Sequence, residues 1–214
     1  LIDAYIFPSE FTLKYITKHF STDRSLAFHV PSPVLPHALP NTQKNREKYF
    51  IYAGRISVEK GVFTLISTFS QSRNAHMKLK IAGDGPDAEK IRALVHNSPN
   101  ITVVGKLDKQ ALAPLISNAL AMVAPSIWYD VQPNSVLESL SYQTPVIAPA
   151  HPVFNELLGK QKRFLYKNIR QFDDILNTVW RKREKTHVSL PQIHLPNSHY
   201  AQIIAIYQQL LAHR

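Results

Sequence analysis

Between residues 49 and 149 the chain alternates between two textures, and that alternation limits its fold more than any other feature. Short runs rich in β-branched and aromatic residues read as strands: "YFIYA" (Tyr49 to Ala53), "MKLKIAG" (Met77 to Gly83), "NITVVG" (Asn100 to Gly105), "LAMVAPS" (Leu120 to Ser126) and "TPVIAP" (Thr144 to Pro149). Between them, near 60 to 72, 86 to 97, 108 to 118 and 134 to 143, apolar residues recur at three- and four-residue spacing, the pattern of amphipathic helices. Strands joined through helices are parallel, because only a crossover returns the chain to the same edge. The expectation is therefore an α/β fold, a Rossmann-like doubly wound parallel sheet, with its ligand site at the carboxyl ends of the strands.

The two ends fall outside that run. "DAYIFPSEFTLKYITKHF" reads as one βα unit in which Ser9 caps a helix starting near Glu10. "HVPSPVLPHALPNTQKN" follows, and Pro31, Pro33, Pro36 and Pro40 exclude helix interior and central strand, so it reads as a hinge. At the other end Ile203, Ile204, Tyr207, Leu210 and Leu211 share one face of a packed terminal helix. The chain starts at Leu1 rather than Met, which suggests a piece of something longer. The expected division is 1–40, a βα unit plus linker; 41–196, the main domain; and 197–214, the terminal helix.

Composition removes several function classes. With 44% hydrophobic residues a buried core is available, and with no cysteine there is neither a disulfide framework nor a thiolate site. No apolar run approaches the ~20 residues needed to span a bilayer, and "LIDAYIFPSE" lacks the order of a signal peptide. A cytoplasmic location is expected. The net charge of +10 suits an anionic partner. Lys160, Lys162, Arg163, Lys167, Arg170, Arg181, Lys182, Arg183 and Lys185 crowd one late segment, which reads either as a solvated face or as a contact with an anionic membrane surface, peripheral to the inner membrane. Nucleic acid is not expected, since Phe164, Tyr166, Phe172 and Trp180 stand at spacings that suit core packing.

Three loops carry candidate chemistry. In "AGRISVEKG" Arg55 and Lys60 follow the first main strand, where a planar fork and a mobile ammonium would meet phosphate oxygens, and Gly54 and Gly61 admit close approach. "AGDGPDAEKI" has Gly83 and Gly85 but not the third glycine of a dinucleotide fingerprint, so a tight structural turn is expected. His194 and His199 read as loop residues rather than metal ligands, and no metal site is expected. In "APSIWYDVQPNSVLESLSYQTPVIAP" the run Pro133-Asn134-Ser135 opens a helix whose free amides could hold a diphosphate, with Asp130 before it and Glu138 one turn in.

In order and spacing, "AGRISVEKG", "IAGDGP", "ITVVGKLD", the Asp130 stretch and "NELLG" resemble the carboxyl-terminal nucleotide-sugar domain of the retaining GT-B glycosyltransferases of family four, the group 1 glycosyltransferases. Asp130 and Glu138 fall on that family's E-x(7)-E pattern. The resemblance implies that the first acid binds sugar hydroxyls and the second ribose, that Arg55 and Lys60 take the diphosphate, that Gly105 and Lys106 lie beside the nucleobase, and that the Ser135 and Val136 amides lie beside the distal phosphate, with Gly54 and Asn134 completing the donor site. It implies that residues 1 to about 30 are the last βα unit of an amino-terminal acceptor domain, to which the terminal helix crosses back. It also implies metal-independent, retaining transfer from a nucleotide diphosphate sugar, with no cofactor, to a sugar or lipid-linked acceptor. The sequence departs from the pattern in having Asp130 for the first Glu, Gln132-Pro133-Asn134 without glycine, and Gln143-Thr144 before "PVIA". Those departures bear on which sugar is taken, and the first keeps a noncatalytic nucleotide-sugar-binding subunit as the alternative.

Overall fold

A computed structural model describes residues 3–20, 23–34, 48–182, 188 and 195–212. The main domain is a six-stranded, wholly parallel sheet built from β3 (Phe50–Ala53), β4 (Leu79–Ala82), β5 (Ile101–Gly105), β6 (Ala121–Val123), β7 (Val146–Pro149) and β8 (Leu165–Tyr166). Their spatial order is β5-β4-β3-β6-β7-β8. From β3 the chain steps outward through β4 to β5, then returns past its starting point to lay β6 on the other flank of β3 and continues to β7 and β8. The reversal sits between β3 and β6, where Phe50 pairs with Ala121 and Ile51 with Met122. Loops leaving these two strands diverge to opposite faces and open a crevice between them.

Helices cover both faces, so the central strands β3, β6 and β7 are buried at every position. Phe50, Tyr52, Leu79 and Ile81 face one layer, packed with α2 (Val62–Ser70), α3 (Ala88–Val95) and α7 (Ile169–Lys182). Ile51, Ala53, Met122 and Ala148 face the other, with α4 (Lys109–Asn118), α5 (Asn134–Ser141) and α6 (Pro152–Leu158). The late basic segment holds a helix that its charges obscure: α7 sets Phe172, Leu176 and Trp180 into the core at four-residue spacing, and its buried Asp173 accepts hydrogen bonds from Arg73 and from Asn74 Nδ2, the latter at 2.9 Å. Arg181 and Lys182 close its last turn, where cations complement the helix dipole. The side chains of Lys160 and Lys162, together with Arg183 and Lys185, lie outside the described residues.

The amino-terminal unit is larger than the sequence suggests. β1 (Tyr5–Phe7) leads into α1 (Glu10–His19), whose cap is the expected one, Ser9 Oγ accepting from Thr12 N at 3.2 Å. A second strand, β2 (Ala27–His29), then pairs parallel with β1. Glu156 of α6 reaches across, its carboxylate accepting from Glu10 N at 2.9 Å and Phe11 N at 3.1 Å. Of the proline-rich hinge, residues 35–47 lie outside the described residues, while Val30 and Val34 are buried and Ser32 N donates to Gln132 Oε1 at 2.8 Å.

The terminal helix α8 (Pro196–Ala212) exists but rests on a different edge from the one read from spacing. Ile206 is buried, with Ile203 and Leu210 half-buried beside it, whereas Ile204, Tyr207 and Leu211 are exposed and continue a stripe begun by Tyr200. His199 also differs from expectation, standing in α8 with Nδ1 2.9 Å from the Pro31 carbonyl. His194 is outside the described residues.

Candidate functional site

At the carboxyl ends of β3 and β6 a cavity of about 160 Å³ collects Gly54, Arg55 and Lys60 from one loop with Asp130, Asn134 and Ser135 from the other. Residues that the sequence holds some 75 positions apart thus become neighbours through strand order alone. A second cavity of about 310 Å³ continues from Gly54 and Arg55 past Gly83 and Asp84 to Lys106, Leu107 and Leu112 after β5. Leu112 also lies beside Lys109, Glu138 and Tyr142, where the surface dips too little to form a cavity. The carboxyl edge of the sheet is therefore a continuous ledge, with the predicted sugar, diphosphate and nucleobase residues set along it in that order.

Backbone contacts hold the ledge. Gly54 N donates to Ala82 O at 3.0 Å and Gly83 N to Gly105 O at 2.8 Å, so the loops after β3, β4 and β5 are tied in series. Gly83 adopts φ 147°, and a Cβ there would stand 1.8 Å from Gly54 O, so the tight turn read at this glycine is required by the contact. On the other flank the Glu59 carbonyl accepts from Ile127 N at 2.9 Å and Trp128 N at 3.4 Å, which binds the Arg55–Lys60 turn to the loop bearing Asp130. Sequence reasoning missed Tyr52, whose hydroxyl donates to Arg55 O at 2.5 Å from beneath the turn. Burial, then the charges of Asp130 and Glu59, push that phenol well above its usual range, so it stays a donor. Glu59 goes the other way: the Ser57 hydroxyl bonded to it at 2.6 Å holds its carboxyl below the usual range.

The two cations are differently placed. Arg55 forms no side-chain ion pair among the described residues, whereas Lys60 Nζ is bonded to Asp130 Oδ1. The Asp130 side chain is 15% exposed and that of Lys60 30%, so the pair is partly shielded from water. At the start of α5 Pro133 supplies no side-chain cap, which leaves the helix end to whatever anion meets it. The Val136 amide, expected beside the distal phosphate, donates to Pro133 O at 3.0 Å, and the Val136 side chain is buried. Among the described residues the Asn134 and Ser135 amides make no such bond to a backbone carbonyl. Glu138 does not share the Asp130 cavity: one helical turn carries it toward α4, with Lys109 Nζ 3.8 Å away. Among the described residues no group of three or more His, Asp or Glu side chains could hold a metal.

The sequence profile of the group 1 glycosyl transferases matches residues 39–188, most of the chain and all of the ledge. The chain belongs to that family. No curated protein matches it by sequence. Among solved structures the fold is similar to sucrose-phosphate synthase from Thermosynechococcus elongatus, with TM-score 0.79, 20% identity, and 100% of this chain on 60% of that one. It is similar to TarM from S. aureus, a mutant in complex with fondaparinux, alpha-GlcNAc-glycerol and UDP, at TM-score 0.74 and 17% identity over 98% of this chain and 44% of that one. It is also similar to Anabaena HepE in complex with UDP, at TM-score 0.73 and 14% identity over 99% and 63%. The chain thus spans about half to two-thirds of the length of these neighbours. The Rossmann-like parallel sheet read from the strand and helix pattern stands, as does the family resemblance read from the five motifs.

Proposed function

We propose that this chain is the donor-binding half of a retaining, metal-independent glycosyltransferase that takes a nucleotide diphosphate sugar. What carries the reading is the placement of Arg55, Lys60, Asp130 and the uncapped start of α5 in one cavity at the β3/β6 reversal. When the bond between the anomeric carbon and the diphosphate oxygen breaks, the electron pair leaves with the oxygen. Arg55, Lys60 and the Asn134 and Ser135 amides are arranged to stabilise that charge, the task a divalent cation performs elsewhere. The acceptor hydroxyl then bonds to the anomeric carbon on the face the diphosphate left and passes its proton to the departing diphosphate oxygen, while Asp130 holds sugar hydroxyls throughout. Arg55, Gly83 and Lys106 lead from the diphosphate toward a base beside Gly105, and Glu138 of α5, beside Leu112, takes hydroxyls of the ribose that joins diphosphate to base.

Acceptor chemistry belongs to a second, amino-terminal domain in this reading. Its supports are that α1 buries none of its residues, that α8 leaves Tyr200, Ile204, Tyr207 and Leu211 exposed, and that the neighbours are longer chains. The chain alone should bind donor and transfer nothing; sugar transfer by it would remove the need for that domain. UDP, present in two of the neighbours, is the first ligand to try. Calorimetric titration with UDP should show affinity on the order of 10- to 100-fold lower in Arg55→Ala and in Lys60→Ala, each having lost a charge-assisted hydrogen bond of roughly 1.5–3 kcal/mol. Folded variants that bind UDP like the parent chain would refute the diphosphate assignment.

A further inference from the structure

The Lys60–Asp130 bond places an anion where the proposed function needs an anion-binding site. Asp130 shares its cavity with Arg55, Asn134 and Ser135, so its carboxylate competes with a diphosphate for Lys60 and repels it as well. A sugar changes that balance. Its hydroxyls donate to the carboxylate, neutralise part of its pull on Lys60, and give the acid a partner in place of the ammonium. We infer that Asp130 distinguishes the sugar-bearing donor from the bare nucleoside diphosphate left after transfer, by reclaiming Lys60 once the sugar has gone. The inference rests on the donor-site reading above and adds a specificity role within it: the acid that binds the sugar also weakens retention of the product.

Two observations favour competition over simple orientation of Lys60 by Asp130. The Lys60 backbone is already fixed without the acid, since Lys60 N donates to Ser57 O at 3.1 Å, Gly61 N donates to Val58 O at 2.9 Å, and the loop opposite reads the Glu59 carbonyl. Arg55, without an ion pair among the described residues, is the cation a diphosphate meets at no such cost, so Lys60 is the group whose availability Asp130 controls. Orientation and competition predict opposite signs for the same substitution.

The test is a cycle of four proteins, parent, Asp130→Asn, Lys60→Ala and the double variant, titrated calorimetrically with UDP and with inorganic pyrophosphate, which needs no base contact. Asp130→Asn should bind both about 3- to 10-fold more tightly, the range expected of a partly exposed ion pair. In the Lys60→Ala background the same change should gain clearly less, since there is no ammonium left to release and only the direct repulsion between carboxylate and diphosphate is relieved. UDP-sugar should gain less than UDP, or lose affinity, because its hydroxyl contact is weakened. Unchanged or weaker binding of UDP and pyrophosphate by Asp130→Asn overturns the inference, as does a gain that persists undiminished without Lys60. Arg55→Ala separates the two levels of argument: normal binding by that variant, or no binding of either ligand by the parent, breaks the diphosphate reading itself.

Discussion

Two βα units in this chain obey the same local rules and end in different surroundings. α1 and α2 are ten and nine residues long, each follows a parallel strand, and each has apolar residues on one face. Yet α2 buries Val62, Leu65, Ile66, Thr68 and Phe69, while α1 buries nothing. The difference lies in what covers them. α2 packs on a six-stranded sheet in a layer shared with α3 and α7, whereas α1 rests on two short strands and meets α6 through Glu156. Helical periodicity announces that a face is available for packing, and only the rest of the fold decides whether it is used.

That contrast can be broken most directly by truncating one aromatic in each unit. Phe69, fully buried with its ring 5.6 Å from that of Phe50, should cost about 3–5 kcal/mol when changed to Ala, read by urea unfolding. Phe11→Ala, whose ring meets Tyr15 and Tyr129 at 5.9 and 5.8 Å on a half-buried surface, should cost about 1 kcal/mol or less. Equal costs would mean that the amino-terminal unit is as integral to the core as α2.

Within the main domain a pair of glycines sharpens the same lesson. Gly83 and Gly105 both have positive φ, 147° and 78°, but a Cβ meets Gly54 O at 1.8 Å in the first case and nothing within 4 Å in the second. Gly105→Ala should therefore cost about 1 kcal/mol through backbone strain alone. Gly83→Ala should cost about 2–4 kcal/mol and lower UDP affinity as well, because it pushes the Arg55 loop off the ledge. Similar losses in thermal unfolding would show that the loops after β3 and β4 are not in contact as described.

The single carboxylate bridging the two regions gives a smaller effect. Glu156→Gln should remove about 1 kcal/mol of helix-end stabilisation, and amide hydrogen exchange should quicken in α1 and not in α2. Smallest of all is the proposed membrane contact of the basic segment, at most about 1 kcal/mol per charge and weakened by salt. Co-sedimentation with anionic vesicles but not neutral ones supports it; equal binding to both returns the segment to a solvated face.

How much of this was legible in the sequence varies with the kind of contact. Arg55, Lys60 and Asp130 could be placed together because each follows a strand, and parallel strands deliver their loops to one edge whatever lies between. Glu138 could not, since its direction depends on where α4 packs beside α5, a contact no local pattern records. The first-turn bond from the Val136 amide to Pro133 was equally invisible, since it depends on how the turn before α5 closes. α7 was legible in part: Phe172 and Trp180 read at core-packing spacing, while the charges of Arg170, Arg181 and Lys182 left its extent and Leu176 unmarked. In α8 the spacing suggested Ile203, Ile204, Tyr207, Leu210 and Leu211; Ile203 and Leu210 do flank the packed edge, but it runs through Ile206 and leaves the other three exposed, a rotation that requires knowing the neighbour.

The Glu59 carbonyl also limits how such a site can be re-engineered. Exchanging the Asp130 loop for one from a relative is the obvious way to alter the choice of sugar, and loops after strands are usually treated as interchangeable parts. Here the incoming loop must find Glu59 O with two successive amides, and it must pass Gly61, where a side chain would stand 2.0 Å from Pro125 O. Residues 57–61 and 125–133 are therefore one cassette in two pieces of chain, to be transplanted together or left alone.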